Sequence, residues 1–523
     1  MESCWTDIVT TPDVDEWSAL LTRQRPFVSG SSLAQLRDAA RRRLTAAAQE
    51  YVLQLCEVAQ SAGVAIPETP VLTGDPESLP IVMTGHQPVI FHGGLTFKYH
   101  CTLRAAGGNA IGVAVAIDVD EGDPGAFQYP QSDPEAELSG SRQLRLGSAS
   151  FAESASLYGS VQLLPVDQLE ERVRLITADL TLTTEPSVRK NFRQASNDYC
   201  LLAKAGVAAG EANSIVRWSR GIGNGLLELP LSAVCCFPEV VELTAGILDH
   251  SEAFSQAYNR SLQDYRHAHG IRNQANPFPD LQTGPDETEL PFWVVHTDTH
   301  SRHPLLVRRV EGVSTLFSGG KVVGTLLSGD SGKVLNDLLL QKKMLIPRGA
   351  LITAFLRLLF ADLFVHGTGG GHYDQFTTTL IQSWWNVEPP PFVVASASQF
   401  LFAKRRSEIR SLQSLKINLR DLRFNPQRHF GTGVFTEAAE SNLRRLYRQK
   451  NAAVIKLKSA HETGKSAKEI GHQIQTVSDE MKATVDHEFS EQLATLSELT
   501  SQTQEAVDCR TYPWFLFPDQ SAS

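Results

Sequence analysis

The chain has 523 residues, 42% of them hydrophobic and 20% charged, which suits roughly two to four globular units and excludes a mainly disordered polymer. Its 48 basic and 58 acidic side chains leave a formal charge of −10, which argues against a general nucleic-acid coat protein. No stretch of about eighteen uncharged apolar residues occurs. The nearest, Met344 to Val365, carries Arg348, Arg357 and Asp362, so neither nucleic acid nor membrane is an expected partner.

The opening Met-Glu-Ser-Cys-Trp-Thr-Asp lacks the basic-then-apolar pattern of a signal peptide. The seven cysteines (Cys4, Cys56, Cys101, Cys200, Cys235, Cys236 and Cys509) form no C-x-x-C pair and are odd in number. That pattern suits neither a disulfide framework nor a thiolate zinc site. The expectation is a cytoplasmic protein with reduced thiols.

Residues 1–75 read as helical, with Leu33, Leu36, Ala40 and Leu44 at helical spacing from Ser31 onward. Pro67, Pro70, Gly74 and Pro76 then mark a loop. Leu79 to Met83 reads as a buried strand, Leu95 to Ala106 as a helix stopped by Gly107-Gly108, and Ala110 to Ile117 as a strand covered on both faces. One strand–helix–strand unit within 76–150 predicts an α/β fold with a parallel sheet. Residues 151–275 read as a helical insertion, built from Val166 to Leu182, Ser187 to Ala208 and Val240 to His269. A second half of the core is expected over 276–432, from strand-like Pro291 to His296 and Pro304 to Val307, the apolar run Leu351 to Phe364, and a last strand at Phe392 to Ser396. Over 433–505, Leu443, Leu446, Val454 and Leu457, then Ile470, Ile474, Val477, Met481, Val485, Leu493 and Leu496 flank a break at Thr463-Gly464-Lys465-Ser466. This pattern predicts a C-terminal antiparallel coiled-coil hairpin. The tail 506–523, with Tyr512-Pro513-Trp514-Phe515-Leu516-Phe517-Pro518, is apolar enough to dock on the core.

Three motifs fall at predicted strand ends, where ligands bind in open α/β sheets. The first runs Thr84-Gly85-His86-Gln87-Pro88 to Phe91-His92-Gly93-Gly94. Its glycines allow close backbone approach, and His86 and His92 can hold an anion or move a proton. The second, Asp118-Val119-Asp120-Glu121-Gly122-Asp123, suits a cation, an ammonium group or acid/base work. The third, His366-Gly367-Thr368-Gly369-Gly370-Gly371-His372-Tyr373-Asp374, again suits an anion and is not a dinucleotide fingerprint. Gly464-Lys465-Ser466 and Gly332-Lys333 are not P-loops, because Ser459 and Leu327 stand where the first glycine belongs. His296, Asp298, His300 and His303 resemble a metal cluster, but no H-E-x-x-H accompanies them and no metal site is assigned.

These motifs resemble those of the cysteine-adding enzyme family of bacillithiol biosynthesis. That family has a Thr-Gly-Gln-Gln-Pro-like turn where Thr84-Gly85-His86-Gln87-Pro88 stands, Glu-Asp-His-Asp where Asp120-Glu121-Gly122-Asp123 stands, and Gly-Gly-Pro-Gly-Glu where Gly367 to Gly371 stand. Arg348 matches an arginine before the intervening helix. The resemblance implies a Rossmann-like core similar to nucleotidyltransferases, a helical insertion, and homodimerisation through the coiled coil. It also implies a reaction joining the carboxyl of an amino acid, cysteine, to the amine of a small anionic sugar conjugate. The family's histidine and glutamate are Gly122 and Gly371 here.

On this reading His86, His92, Asp120, Asp123 and His372 are the catalytic candidates. Thr84, Gly85, Gln87, Gly93, Glu121, Arg348, His366, Gly367, Gly369, Gly370 and Asp374 are the substrate-binding ones. Participation of ATP and Mg²⁺ stays open. The alternatives are a nucleotidyltransferase-like nucleotide-binding enzyme and an inactive coiled-coil scaffold.

Overall fold

The computed structural model describes residues 5–22, 32–67, 79–133, 136–148, 157–284, 286–310, 313–326, 330–463 and 466–517. Ser31, Pro70, Gly74, Pro76, Leu327, Gly464, Lys465, Pro518 and Cys4 of the sequence reading lie outside the described residues. The chain is mixed α/β and divides into two compact units. One comprises 1–132, 142–399 and 510–523, the other 133–141 and 400–509.

In the first unit, β1 (Thr6–Thr11), α1 (Trp17–Thr22) and the long α2 (Ser32–Ala62) precede β2 (Ile81–His86), α3 (Gly93–Ala106) and β3 (Ile111–Ala116). The two-stranded sheet of β4 (Ala126–Asp133) and β5 (Ala136–Arg145) follows, its residues 133–141 belonging to the second unit. Helices α4 (Val166–Thr183), α5 (Pro186–Lys204) and α6 (Ala209–Trp218) lead to β6 (Leu227–Pro230). Then come α7 (Leu231–Val234), α8 (Pro238–Asp249) and α9 (Ser251–Ala268). Strands β7 (Glu287–His296), β8 (Ser301–Val310), β9 (Val313–Ser318) and β10 (Lys321–Leu326) run up to α10 (Ser331–Leu340). The remainder is β11 (Lys343–Pro347), α11 (Ala350–Leu359), β12 (Leu363–His366), α12 (Thr368–Trp385) and β13 (Phe392–Ser398).

The principal sheet has the order β1-β13-β12-β2-β3-β6. All neighbours are parallel except the edge strand β1, which runs antiparallel to β13. From β2 the chain steps outward through β3 to β6, then returns to build β12 and β13 on the other side. Strand order therefore reverses between β2 and β12, and that is where such a sheet opens a crevice beyond its carboxyl ends. The two helices following these strands cover opposite faces. Phe97 and Cys101 of α3 pack with Val82, Val365 and Val393, whereas Phe376 and Leu380 of α12 pack with Ile81, Met83 and Val113. Both helices therefore start at the crevice.

Several elements depart from the sequence reading. The N-terminal segment is not wholly helical: the β-branched Thr6–Thr11 forms an edge strand. The insertion contributes a core strand, β6, whose four residues are too few to show a period. The helix expected over Ser187 to Ala208 ends at Lys204, before Gly206 at φ 71°. The one expected from Val240 to His269 breaks at His250. Of the residues read as the second half of the parallel core, Leu363–His366 and Phe392–Ser398 join the principal sheet, whereas Pro291 to His296 and Pro304 to Val307 fall in a separate antiparallel sheet, β10-β9-β8-β7-β11. Connections as short as the turn at Gly319-Gly320, with φ 56° and 75°, can join only antiparallel neighbours.

Two arginines of α2 tie the unit together. Arg37 donates to the carbonyls of Arg357, Leu358 and Ala361 at the end of α11, satisfying groups a helix leaves open there. Arg37 and Arg41 also hold Asp362 at 3.0 and 2.6 Å. Asp362 in turn accepts the Ile81 N–H at the start of β2 (2.7 Å).

In the second unit, α13 (Ala403–Phe424), α14 (Glu437–Glu462), α15 (Lys468–Glu488), α16 (Ser490–Glu498) and α17 (Ser501–Asp508) follow one another. Leu419 and Leu422 share a core with Leu443, Leu446, Val477, Met481 and Val485, so α13 completes the packing of α14 against α15. Glu488, at the end of α15, accepts from the Thr436 N–H that precedes α14, so the two helices run antiparallel. Leu138 of β5 packs with Ile409, Ala506 and Val507. No helix among the described residues is long and apolar enough to cross a membrane.

Candidate functional site

The turn after β2 is held from several sides. Thr84 donates its hydroxyl to the Val365 carbonyl at 2.9 Å, stitching β2 to β12, so its side chain serves the sheet. A Cβ on Gly93 would lie 2.7 Å from the Gln399 Cβ, so glycine there permits close packing. His92 is the N-cap of α3: its Nδ1 accepts the Gly94 N–H at 3.1 Å. Burial, with Arg510 and Lys98 nearby, pushes His92 down to about 4. The Phe91 carbonyl accepts the Trp514 N–H at 2.9 Å, and His92 bridges Pro513. The tail 510–517 thus returns to close this turn, with Phe515 against Phe127 and Phe192.

His86 ends β2, with its Nδ1 3.1 Å from the Gln87 carbonyl. A carbonyl there requires the proton on Nδ1, which leaves the lone pair on Nε2. Burial and the Lys98 charge push His86 down to about 3. The ring is therefore neutral near pH 7 and has no proton of the expected kind to give.

Behind it stands Lys98, a residue the sequence reading missed. It is 4% exposed, and its Nζ donates to the Gly85 carbonyl at 2.8 Å. Burial pushes this amine down to about 7, a range in which a lysine can exchange its proton. The available signal was position: Lys98 lies three residues after Leu95 and three before Cys101, on the apolar stripe of α3.

The acidic loop is already engaged. Asp120 accepts from Gln87 Nε2 at 2.9 Å and from Arg302 Nη1 at 2.7 Å. Glu121 lies 3.5 Å from Arg302 Nε. The cation expected there is thus the protein's own guanidinium, from β8. Asp123 is buried, accepts the Gly125 N–H at 2.8 Å and lies 3.6 Å from Arg145. Burial raises its carboxyl, against the pull of Gly125 and Arg145. A side chain at Gly122 would fall on the Tyr158 hydroxyl. Arg348 pairs with Glu289 and, like Arg302, lies over the Trp293 ring, at 5.0 and 4.6 Å respectively.

The glycine-rich motif is a helix start rather than a turn. Gly367 is the N-cap of α12 and makes no side-chain cap bond, and Gly369 and Gly370 stand exposed in its first turn. A Cβ on Gly371 would collide with Val394 of β13. His372 is exposed, and its carbonyl accepts the Tyr265 hydroxyl at 2.7 Å. Asp374 is buried in a pair with Arg357 (2.9 Å) and also approaches His366 (3.1 Å). Burial favours its neutral form, but Arg357 and His366 outweigh this and hold the carboxyl low.

The structure therefore brings together the turn after β2, the acidic loop through Gln87, and the end of β12 through Thr84. It leaves the His372 ring facing solvent and commits Arg348 to Glu289. Among the described residues no group of three or more His, Cys, Asp or Glu side chains is arranged to hold a metal ion. His296 and His303 stand 6.4 Å apart between ring centres. With Asp120 and Glu121 paired to Arg302, the acidic loop does not fit Mg²⁺. No protein-family model and no curated protein matches the sequence.

Proposed function

We propose that the chain is a cytoplasmic carbon–nitrogen bond-forming enzyme, with a Rossmann-like core, acting on a small anionic metabolite at the crevice between β2 and β12. The observation that carries this reading is Lys98. A lysine without a carboxylate partner in any hydrogen bond or ion pair described, aimed at the carboxyl end of the first core strand, is costly to bury and serves a bound anion well. The reaction proposed is condensation of a cysteine-like carboxyl with the amine of an anionic sugar conjugate, as the turn, acidic-loop and glycine motifs suggest. The hairpin of α14 and α15 is read as a coiled coil that pairs two chains. Exposed Ile455 of α14 supports that reading.

The test is a mass-spectrometric coupling assay with cysteine and glucosaminyl malate, run with and without ATP and Mg²⁺. Product from the wild type and its loss in Lys98→Met is the expected result. No condensed thiol from the folded protein in either arm, or full turnover by Lys98→Met, overturns the reading. Sedimentation of wild type and Ile455→Glu tests the pairing of chains: a wild-type monomer removes it.

A further inference from the structure

We propose that His366 is the general base of this site and that Asp374 is its positioning residue. The proposal rests on the crevice reading above and names the group that takes the nucleophile's proton. His366 closes β12 at the point where strand order reverses. Its ring is fixed between Phe364 and Phe392, at 4.6 and 5.8 Å between centres. Asp374 Oδ2 stands 3.1 Å from Nε2. Its carboxylate is kept charged by Arg357 Nη1 at 2.9 Å, in a pair whose side chains are 1% and 2% exposed. Arg357 is itself anchored on the Pro390 carbonyl at 3.0 Å.

Asp374 Oδ2 approaches Nε2 off the hydrogen-bond line, and a carboxylate this close favours the proton on Nε2, because facing lone pairs repel. The free lone pair is then on Nδ1. That edge of the ring looks at Gly370, where a Cβ would lie 2.6 Å from Nδ1. Gly370 is exposed, so the missing side chain leaves Nδ1 open to a ligand lying over the first turn of α12. A substrate amine or hydroxyl gives its proton to Nδ1, and the imidazolium formed keeps its Nε2–H toward Asp374. The other histidines fit this role less well. His92 Nδ1 is spent on a helix cap, His86 is sunk beside Lys98, and His372 faces solvent.

The test has two independent arms. In the full chain labelled with ¹⁵N-histidine, His366, assigned by loss of its signals in His366→Gln, is expected as the Nε2–H tautomer. An Nδ1–H tautomer overturns the proposal. In the coupling assay, His366→Gln is expected to lower kcat by about 10² to 10⁴-fold with little change in KM. Gly370→Ala, whose Cβ presses on Nδ1, is expected to lower kcat while keeping the wild-type circular dichroism spectrum. Full kcat in either variant overturns the proposal. Asp374→Asn is expected to mix the tautomers; where its loss of the Arg357 pair prevents folding, Gly370→Ala carries the test. If the wild type makes no product, the proposed reaction falls, and the tautomer alone decides whether His366 is built as a base.

Discussion

Arg302 Nη1 stands 2.7 Å from Asp120 Oδ1 and 3.1 Å from the Val119 carbonyl. One side chain from the antiparallel sheet thus holds the loop that follows β3. Its side chain is 13% exposed and lies over Trp293, so the pair is shielded from solvent on one side. Arg302→Ala should lower unfolding free energy by about 1 to 3 kcal/mol. It should also speed amide exchange over 118–123. A double-mutant cycle with Asp120→Ala reads the coupling, and additive losses would mean the contact contributes little.

Lys98 should cost stability at the pH where it works. Its proton affinity falls from the ordinary 10.5 to about 7 on folding, so the unfolded chain binds the proton more tightly. The native state gains stability as pH rises from about 7 toward 10.5, and below about 7 the penalty is fully present. Lys98→Met removes the penalty. Its unfolding free energy near pH 7 should exceed that of wild type by on the order of a few kcal/mol, read by urea unfolding, and the gap should close toward pH 10.

Asp362 behaves in the opposite way. Burial would raise its carboxyl, but Arg37 and Arg41 outweigh this and hold it below the ordinary range. The stabilisation is present above the unfolded value of about 4 and is lost as pH falls through the folded one. Asp362→Asn should cost about 3 to 5 kcal/mol at neutral pH. Urea unfolding at pH 7 and pH 3 should show the difference from wild type narrowing in acid.

Gly371 and Gly122 leave no room for a side chain. Here the space is filled, by Val394 and by Tyr158. Gly371→Ala should destabilise the chain by about 1 to 3 kcal/mol. Val394→Ala in the same background should recover part of that loss. No recovery would mean that α12 shifts rather than collides.

Legibility in the sequence followed the strength of local pattern. Ala110 to Ile117 reads as a strand covered on both faces, and Ile111–Ala116 forms one, because such burial requires an unbroken apolar run. The stripe through Leu443, Val477 and Met481 marks a helix pair for the same kind of reason. β6 stayed hidden because Leu-Glu-Leu-Pro is too brief to show a period. The antiparallel sheet was announced by Gly319-Gly320, a two-residue turn signal that the reading passed over. Motif spacing put the three motifs at the ends of β2, β3 and β12, where they lie, but did not show who faces whom. Arg302 is some 180 residues from Asp120 in sequence (|i−j| = 182), and no local pattern carries such a pairing. Asp374 looked like a ligand because it neighbours glycines, whereas helix geometry turns it inward to Arg357.

The return of residues 510–517 to the turn at Phe91-His92 has a kinetic consequence. The first unit is interrupted by 400–509 and resumes only with Arg510. The Phe91–Trp514 hydrogen bond therefore closes a loop of more than 400 residues, and contacts of such sequence separation form late. The parallel sheet can assemble first, yet the turn that ends β2 acquires its last partners only after the intervening helices exist. Refolding should then show sheet formation preceding a slow phase in which Trp514 becomes buried. A cut within 400–509 should leave this slow step concentration-dependent, because the closing segment would have to arrive as a separate molecule.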